Sequence, residues 1–147
     1  MLFRSGYHMD ETRMFVMGDM ETKAMDASKA SLEILHSILS WMKPGETMGE
    51  IFDNAVQLAR HMGYEEQFLG LPDLKSIFIG HGIGLELVEN PIISKGKKEI
   101  FKPGMVFAVE PKFIFKNRFA AGIESVIQIT DNSACFLSTT PHKIITC

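Results

Sequence analysis

The 147-residue sequence predicts an α+β fold, a mostly antiparallel sheet with two helices on its outer face. Three observations predict it. Helical periodicity is confined to roughly residues 20–62 and is broken once, by Pro44-Gly45. Beyond residue 75 the apolar residues come in short runs separated by Pro91, Gly96, Pro103-Gly104, Pro111 and Gly122, which is strand punctuation. With 46% hydrophobic and 22% charged residues, the chain can bury one core, and its length suits a single domain over 1–147.

The first element, "GYHMDETRMFVMG", reads as one strand from Tyr7 to Val16, between turn residues Ser5-Gly6 and Gly18-Asp19. No partner for it is evident, so its edge is expected to be open. An open edge invites pairing with another chain and so predicts a homodimer. In the first helix Ala24, Ala27, Ser31, Leu35, Ile38 and Met42 form one buried stripe, with Asp19 as the expected cap. The second helix opens on a capping box, Thr47 with Glu50, buries Ile51, Ala55, Leu58, Ala59 and Met62, and stops at Gly63. Strands are expected over 76–79, 85–88, 105–110, 123–130 and 143–146.

A formal charge of −3, with only Lys95, Lys97 and Lys98 clustered, argues against a nucleic-acid partner. No apolar run approaches the roughly 18 residues of a membrane span. Cys135 and Cys147 form neither a CxxC pair nor a disulfide framework, and "MLFRSGYHMDETR" has no apolar leader core. A cytoplasmic location is the resulting expectation.

Four polar residues interrupt these apolar patterns. Asp10 lies in the first strand, with Thr12, Met14 and Val16 on its face by period-two alternation. His81 stands between glycines in "FIGHGIGLELVENP". Glu110 ends "MVFAVE", and Glu124 lies in "GIESVIQIT". Three have an ordinary reading alone: His81 as a hydrogen-bonded core histidine, Glu110 as a strand end facing water, Asp10 as a solvated strand residue or turn cap; Glu124, crowded by Ile123, Val126 and Ile127, is the hardest to read that way. Brought together, three carboxylates and an imidazole would need a cation, or they would repel and protonate. The glycines of "GHGIGLE" do not make a phosphate cradle, because Leu85 stands where a dinucleotide fingerprint needs glycine.

Read in order, "GYHMDETRMFVMG", "GHGIGLELVENP", "KPGMVFAVEP" and "AAGIESVIQIT" resemble four segments of the metallopeptidase family of prolidase, aminopeptidase P and methionine aminopeptidase. The short interval between Glu110 and Glu124 resembles the Xaa-Pro branch. The resemblance implies an incomplete pita-bread fold and hydrolysis of the bond after the N-terminal residue of a short Xaa-Pro peptide. It implies metal ligands Asp10, His81, Glu110 and Glu124, with Glu110 and His81 in catalytic roles. Glu110 would serve as general base and Thr12 would hold the Asp10 carboxylate from behind. Such a donor set favours Mn²⁺ or Co²⁺, with Fe²⁺ and Zn²⁺ as alternatives.

The sequence departs from that family in two places. The family's first aspartate ligand precedes the position of Asp10, and its first strands precede this chain. The chain therefore resembles a C-terminal part of the catalytic domain. Of the family's two ions it is expected to hold at most one well, with little or no activity by itself. Val88 stands where many relatives carry a substrate-contacting histidine, and valine donates no hydrogen bond. The rival reading is a pita-bread binding module without peptidase activity.

Overall fold

The computed structural model describes residues 2–147, with side chains from residue 5 onward. Strands β1 (Leu2–Arg4) and β2 (Tyr7–Met9) form an antiparallel hairpin, and β3 (Phe15–Val16) follows. Helices α1 (Thr22–Trp41) and α2 (Met48–His61) come next. A small hairpin of β4 (Gly70–Leu71) and β5 (Leu74–Lys75) leads to β6 (Phe78–Gly82) and β7 (Glu89–Ser94). Then come β8 (Val106–Val109), β9 (Lys112–Phe115), β10 (Phe119–Gly122), β11 (Ser125–Ile129), β12 (Ala134–Phe136) and β13 (Ile145–Thr146).

The main sheet runs β12-β11-β8-β6-β7, antiparallel at every pairing. Alternation along its strands separates two faces. Phe107 and Val109 of β8 and Ile127 and Ile129 of β11 join Ile34, Leu35, Ile38, Ile51 and Ala55 of the helices in the principal core. The residues between them, Ala108 and Val126, form with Ile83 a second, smaller apolar cluster on the opposite face. Both helices thus cover one side and leave the other open.

The capping box is present: the Thr47 hydroxyl accepts from the Glu50 N–H, and the Glu50 carboxylate accepts from the Thr47 N–H. Gly63 ends α2 with φ of 80°. Asp19 does not cap α1. The helix starts after Glu21, whose carboxylate pairs with Arg118 rather than with the helix N-terminus. Ser31, on the predicted stripe, is fully buried because its hydroxyl donates to the Pro111 carbonyl at 2.6 Å.

The expectation of one unpaired strand from Tyr7 to Val16 is corrected. Ser5 and Gly6, with φ of 55° and 85°, make a tight hairpin turn that brings β1 onto β2. Thr12 bridges Glu124, and β3 pairs in parallel with β13. Tyr7–Met9, Thr12 and Phe15–Val16 each pair within the chain, so the segment is not the single unpaired strand on which the homodimer was predicted. Residues 85–88 are bends rather than a strand, and β7 starts at Glu89. The β9–β10 hairpin was missed because Pro111 and Gly122, read as punctuation, flank it.

Candidate metal centre

The glycines around His81 are set by backbone packing. A Cβ on Gly80 would lie 2.6 Å from the Ala108 carbonyl oxygen, and one on Gly82 would lie 3.0 Å from that of Glu89. Glycine on both sides lets β6 sit tightly between β8 and β7. Ile79 packs into the helix-side core, yet His81, two residues on, lies on the opposite face beside Ala108. The register with β7 shifts between Phe78 and Gly80, and that irregularity turns the imidazole to the open side. His81 is only 2% exposed. Its Nδ1 lies 2.9 Å from the Gly82 carbonyl, which can only accept, so Nδ1 carries the proton and Nε2 keeps a free lone pair.

Glu124 stands just before β11, 8% exposed. Its backbone bridges Thr12 in both directions, at 3.1 and 3.3 Å. The same pairing brings in Asp10, two residues earlier. The segment is held at its other end by the His8 N–H on the Gly84 carbonyl, 2.8 Å. Asp10, His81 and Glu124 each offer a ligand atom, and these atoms lie within 4.8 Å of one another. Burial, then the charges of Asp10 and Glu110, push the Glu124 carboxyl above the usual carboxylate range. The Thr12 hydroxyl and His81 pull the other way. A converging N,O,O set whose carboxylates repel one another fits a divalent cation.

Thr12 was expected to hold Asp10. Its hydroxyl instead donates to Glu124 Oε2 at 3.0 Å, because Thr12 and Glu124 face each other across the bridge. Glu110 adjoins the three without joining them. Its Oε1 is 3.9 Å from His81 Nε2, and its Oε2 accepts from the Lys112 ammonium. Val88 is 52% exposed in the bend before β7 and offers no donor to the open face.

Two residues of this site escaped the sequence reading. Lys112 is two positions beyond Glu110, and strand alternation across Pro111 was the available signal. Arg13 ties three segments together: it donates to the backbone carbonyls of Thr12, Glu124, Thr140 and Pro141, and to the Ser138 hydroxyl. Nothing in "DETR" announces a contact with residues 138–141.

Comparison with known proteins finds dipeptidases of the same fold. The probable dipeptidase PepE of Mycobacterium tuberculosis is 29% identical over 140 residues, 95% of this chain and 36% of that protein. The Xaa-Pro dipeptidase of Pyrococcus furiosus is 30% identical over 139 residues, 95% of this chain and 38% of that protein. The crystal structure of dipeptidase PepE from Mycobacterium ulcerans superposes with a TM-score of 0.87 at 28% identity, covering 98% of this chain and 37% of that one. This chain thus spans little more than a third of the length of these relatives, and the fold it shares with them is the pita-bread fold. The model of metallopeptidase family M24 matches residues 2–131, and the chain belongs to that family.

Proposed function

We propose that this chain carries the metal-holding part of an Xaa-Pro dipeptidase-type hydrolase, with Asp10, His81, Glu110 and Glu124 as ligands of one divalent ion, Mn²⁺ or Co²⁺. The observation that carries the reading is the convergence of Asp10, His81 and Glu124 from three separate segments onto one point of the open sheet face. A divalent ion held there would supply polarisation of the scissile carbonyl and acidification of the attacking water. Glu110, with Oε1 toward His81, is placed to serve as the general base, which would accept a proton from the attacking water and return it to the leaving nitrogen. The Gly82 carbonyl holds His81 in the tautomer that leaves Nε2 free. Thr12 holds one oxygen of Glu124, leaving the other for the ion.

Two exposed free thiols suit a reducing, cytoplasmic setting. Among the described residues no helix is long and apolar enough to cross a membrane. The test is calorimetric titration of Mn²⁺ into chelator-stripped protein, with Glu124→Ala alongside, followed by hydrolysis of Xaa-Pro and Xaa-Ala dipeptides. One binding site lost in the variant, with little or no turnover by this chain and any turnover confined to Xaa-Pro, is the expected result. No ion bound by the unaltered chain ends the metal reading. An ion bound without turnover keeps the metal centre and takes hydrolysis away from this chain.

A further inference from the structure

We propose that Arg13 is a positioning residue for the metal centre: its guanidinium fastens residues 137–147 across the seam between the Asp10 and Glu124 segments and so keeps those two ligands together. The inference rests on the metal-centre reading above and concerns residues outside the ligand set.

The seam needs holding. Asp10 and Glu124 carry like charge, and without an ion their carboxylates push apart. Asp10 lies on irregular backbone between β2 and β3, and its segment meets that of Glu124 at an isolated bridge, Thr12 with Glu124. Two backbone hydrogen bonds, of 3.1 and 3.3 Å, make the bridge. Arg13 Nη1 donates to the same two carbonyls, that of Thr12 at 2.9 Å and that of Glu124 at 2.5 Å. Each carbonyl has a second lone pair to accept it. One nitrogen of the guanidinium thus grips both sides of the bridge.

The rest of the guanidinium is held by a segment that carries no ligand. Nε donates to the Pro141 carbonyl at 3.0 Å, and Nη2 donates to the Thr140 carbonyl at 3.0 Å and to Ser138 Oγ at 3.3 Å. All five N–H groups of the planar fork are engaged. None goes to a carboxylate, so Arg13 shapes backbone rather than neutralising the site. Residues 137–147 in turn touch both ligand segments. Beside Glu124, the Leu137 N–H donates to the Val126 carbonyl at 2.9 Å, and His142 Nε2 lies 2.8 Å from Ser125 Oγ. Beside Asp10, the Thr140 hydroxyl donates to Glu11 Oε2 at 2.9 Å. Farther along, the Ile145 and Cys147 N–H groups donate to the Met14 and Val16 carbonyls at 2.9 Å. The strap therefore lies across the seam, and Arg13 is the one side chain bonded to the strap and to both carbonyls of the bridge.

The experiment measures Mn²⁺ affinity by calorimetry for the unaltered chain, Arg13→Lys and Arg13→Ala, with circular dichroism to verify folding. A lysine nitrogen cannot span bridge and strap together, so Arg13→Lys is expected to lose about tenfold in affinity and Arg13→Ala about a hundredfold. Dilute guanidinium chloride should recover affinity in Arg13→Ala, where ammonium chloride at equal concentration does not. A second measurement needs no variant. Coupling is reciprocal, so a strap that favours the ion is favoured by it. Amide exchange of the unaltered chain, read by mass spectrometry, should slow over residues 137–147 when Mn²⁺ is added, while α2 exchanges as before. If Arg13→Ala fails to fold, this exchange decides alone. Unaltered affinity in a folded Arg13→Ala, a loss that guanidinium does not recover, or strap exchange indifferent to Mn²⁺ overturns the assignment and leaves the metal centre standing. No ion in the unaltered chain overturns both.

Discussion

On the helix side of the main sheet, Phe107, Val109, Ile127 and Ile129 meet α1 and α2 in a predominantly apolar core. On the other side, the intervening residues Ala108 and Val126 form a small apolar patch that ends in Glu110 and Glu124. The same strands build both faces, so the difference comes from what covers them. Helices covering one face reward apolar bulk there. The other face is covered by Met9 of the N-terminal segment and Leu87 of the bend before β7, and that N-terminal segment also brings a carboxylate, Asp10. Stability belongs to the first face and chemistry to the second, and substitutions on the two should separate cleanly.

The largest expected effect is on the helix side. Phe107→Ala removes a fully buried ring that packs edge-on against Phe101 at 5.3 Å, and should destabilise by about 3–5 kcal/mol. Urea unfolding measures this. A loss below about 1 kcal/mol would mean that the two faces share the load.

Glu124→Gln should do the reverse. Because the Glu124 carboxyl is pushed up in the fold, its protonated form favours folding, and that contribution is lost as pH rises through the raised value. At neutral pH the ionised group opposes the metal-free fold. The amide variant should therefore melt no lower than the parent without metal. It should also lose the gain of about 2.7 kcal/mol expected with Mn²⁺ at a hundred times Kd. Thermal melts with and without Mn²⁺ decide it; a variant that is less stable without metal and keeps the Mn²⁺ shift would break the comparison.

A smaller effect belongs to Thr12→Val, which keeps the backbone bridge and removes the hydroxyl on Glu124. Metal affinity should fall about tenfold, at the lower end for an outer hydrogen-bond partner. Urea stability should change by no more than about 1 kcal/mol. Calorimetry that finds equal affinity would remove Thr12 from the site.

The smallest effect is expected at the C-terminal segment. His142 stacks on Phe136 and lies 2.8 Å from the buried Ser125 hydroxyl, on the helix side of β11. Burial, then Arg13 and His36, hold its imidazole below the usual range, against a weaker opposing pull from Glu11. The unfolded chain therefore binds the proton more readily. The stabilising contribution is complete above about pH 6.5 and is lost as pH falls through the lowered value. Amide exchange over residues 138–147, corrected for intrinsic rate, should quicken between pH 7 and pH 5 while β8 stays protected. Unchanged exchange would show that His142 does not hold this segment, leaving Arg13 and the β3–β13 pairing to do so.

Local patterns made much of this legible. The capping box at Thr47 and the stop at Gly63 were readable because their partners lie within one turn. The helix stripes and the strands carrying Glu110 and Glu124 were readable because burial on one face imposes a period. Asp10, His81, Glu110 and Glu124 stood out as polar residues in apolar runs, and their order carried the family resemblance. The β1–β2 hairpin escaped because Ser5-Gly6 was taken as a boundary rather than as the turn itself. Period two also failed at β6, where a register shift turns Ile79 and His81 to opposite faces.

The sequence by itself therefore determined the α+β class, both helices and the identity of the ligand candidates, because each depends on neighbours near in the chain. Only the tertiary structure decided that Thr12 holds Glu124 rather than Asp10, that Arg13 ties the ligand strand to residues 138–141, and that Lys112 answers Glu110. Those contacts depend on which strands lie side by side and in what register, and register is set by packing across the whole sheet.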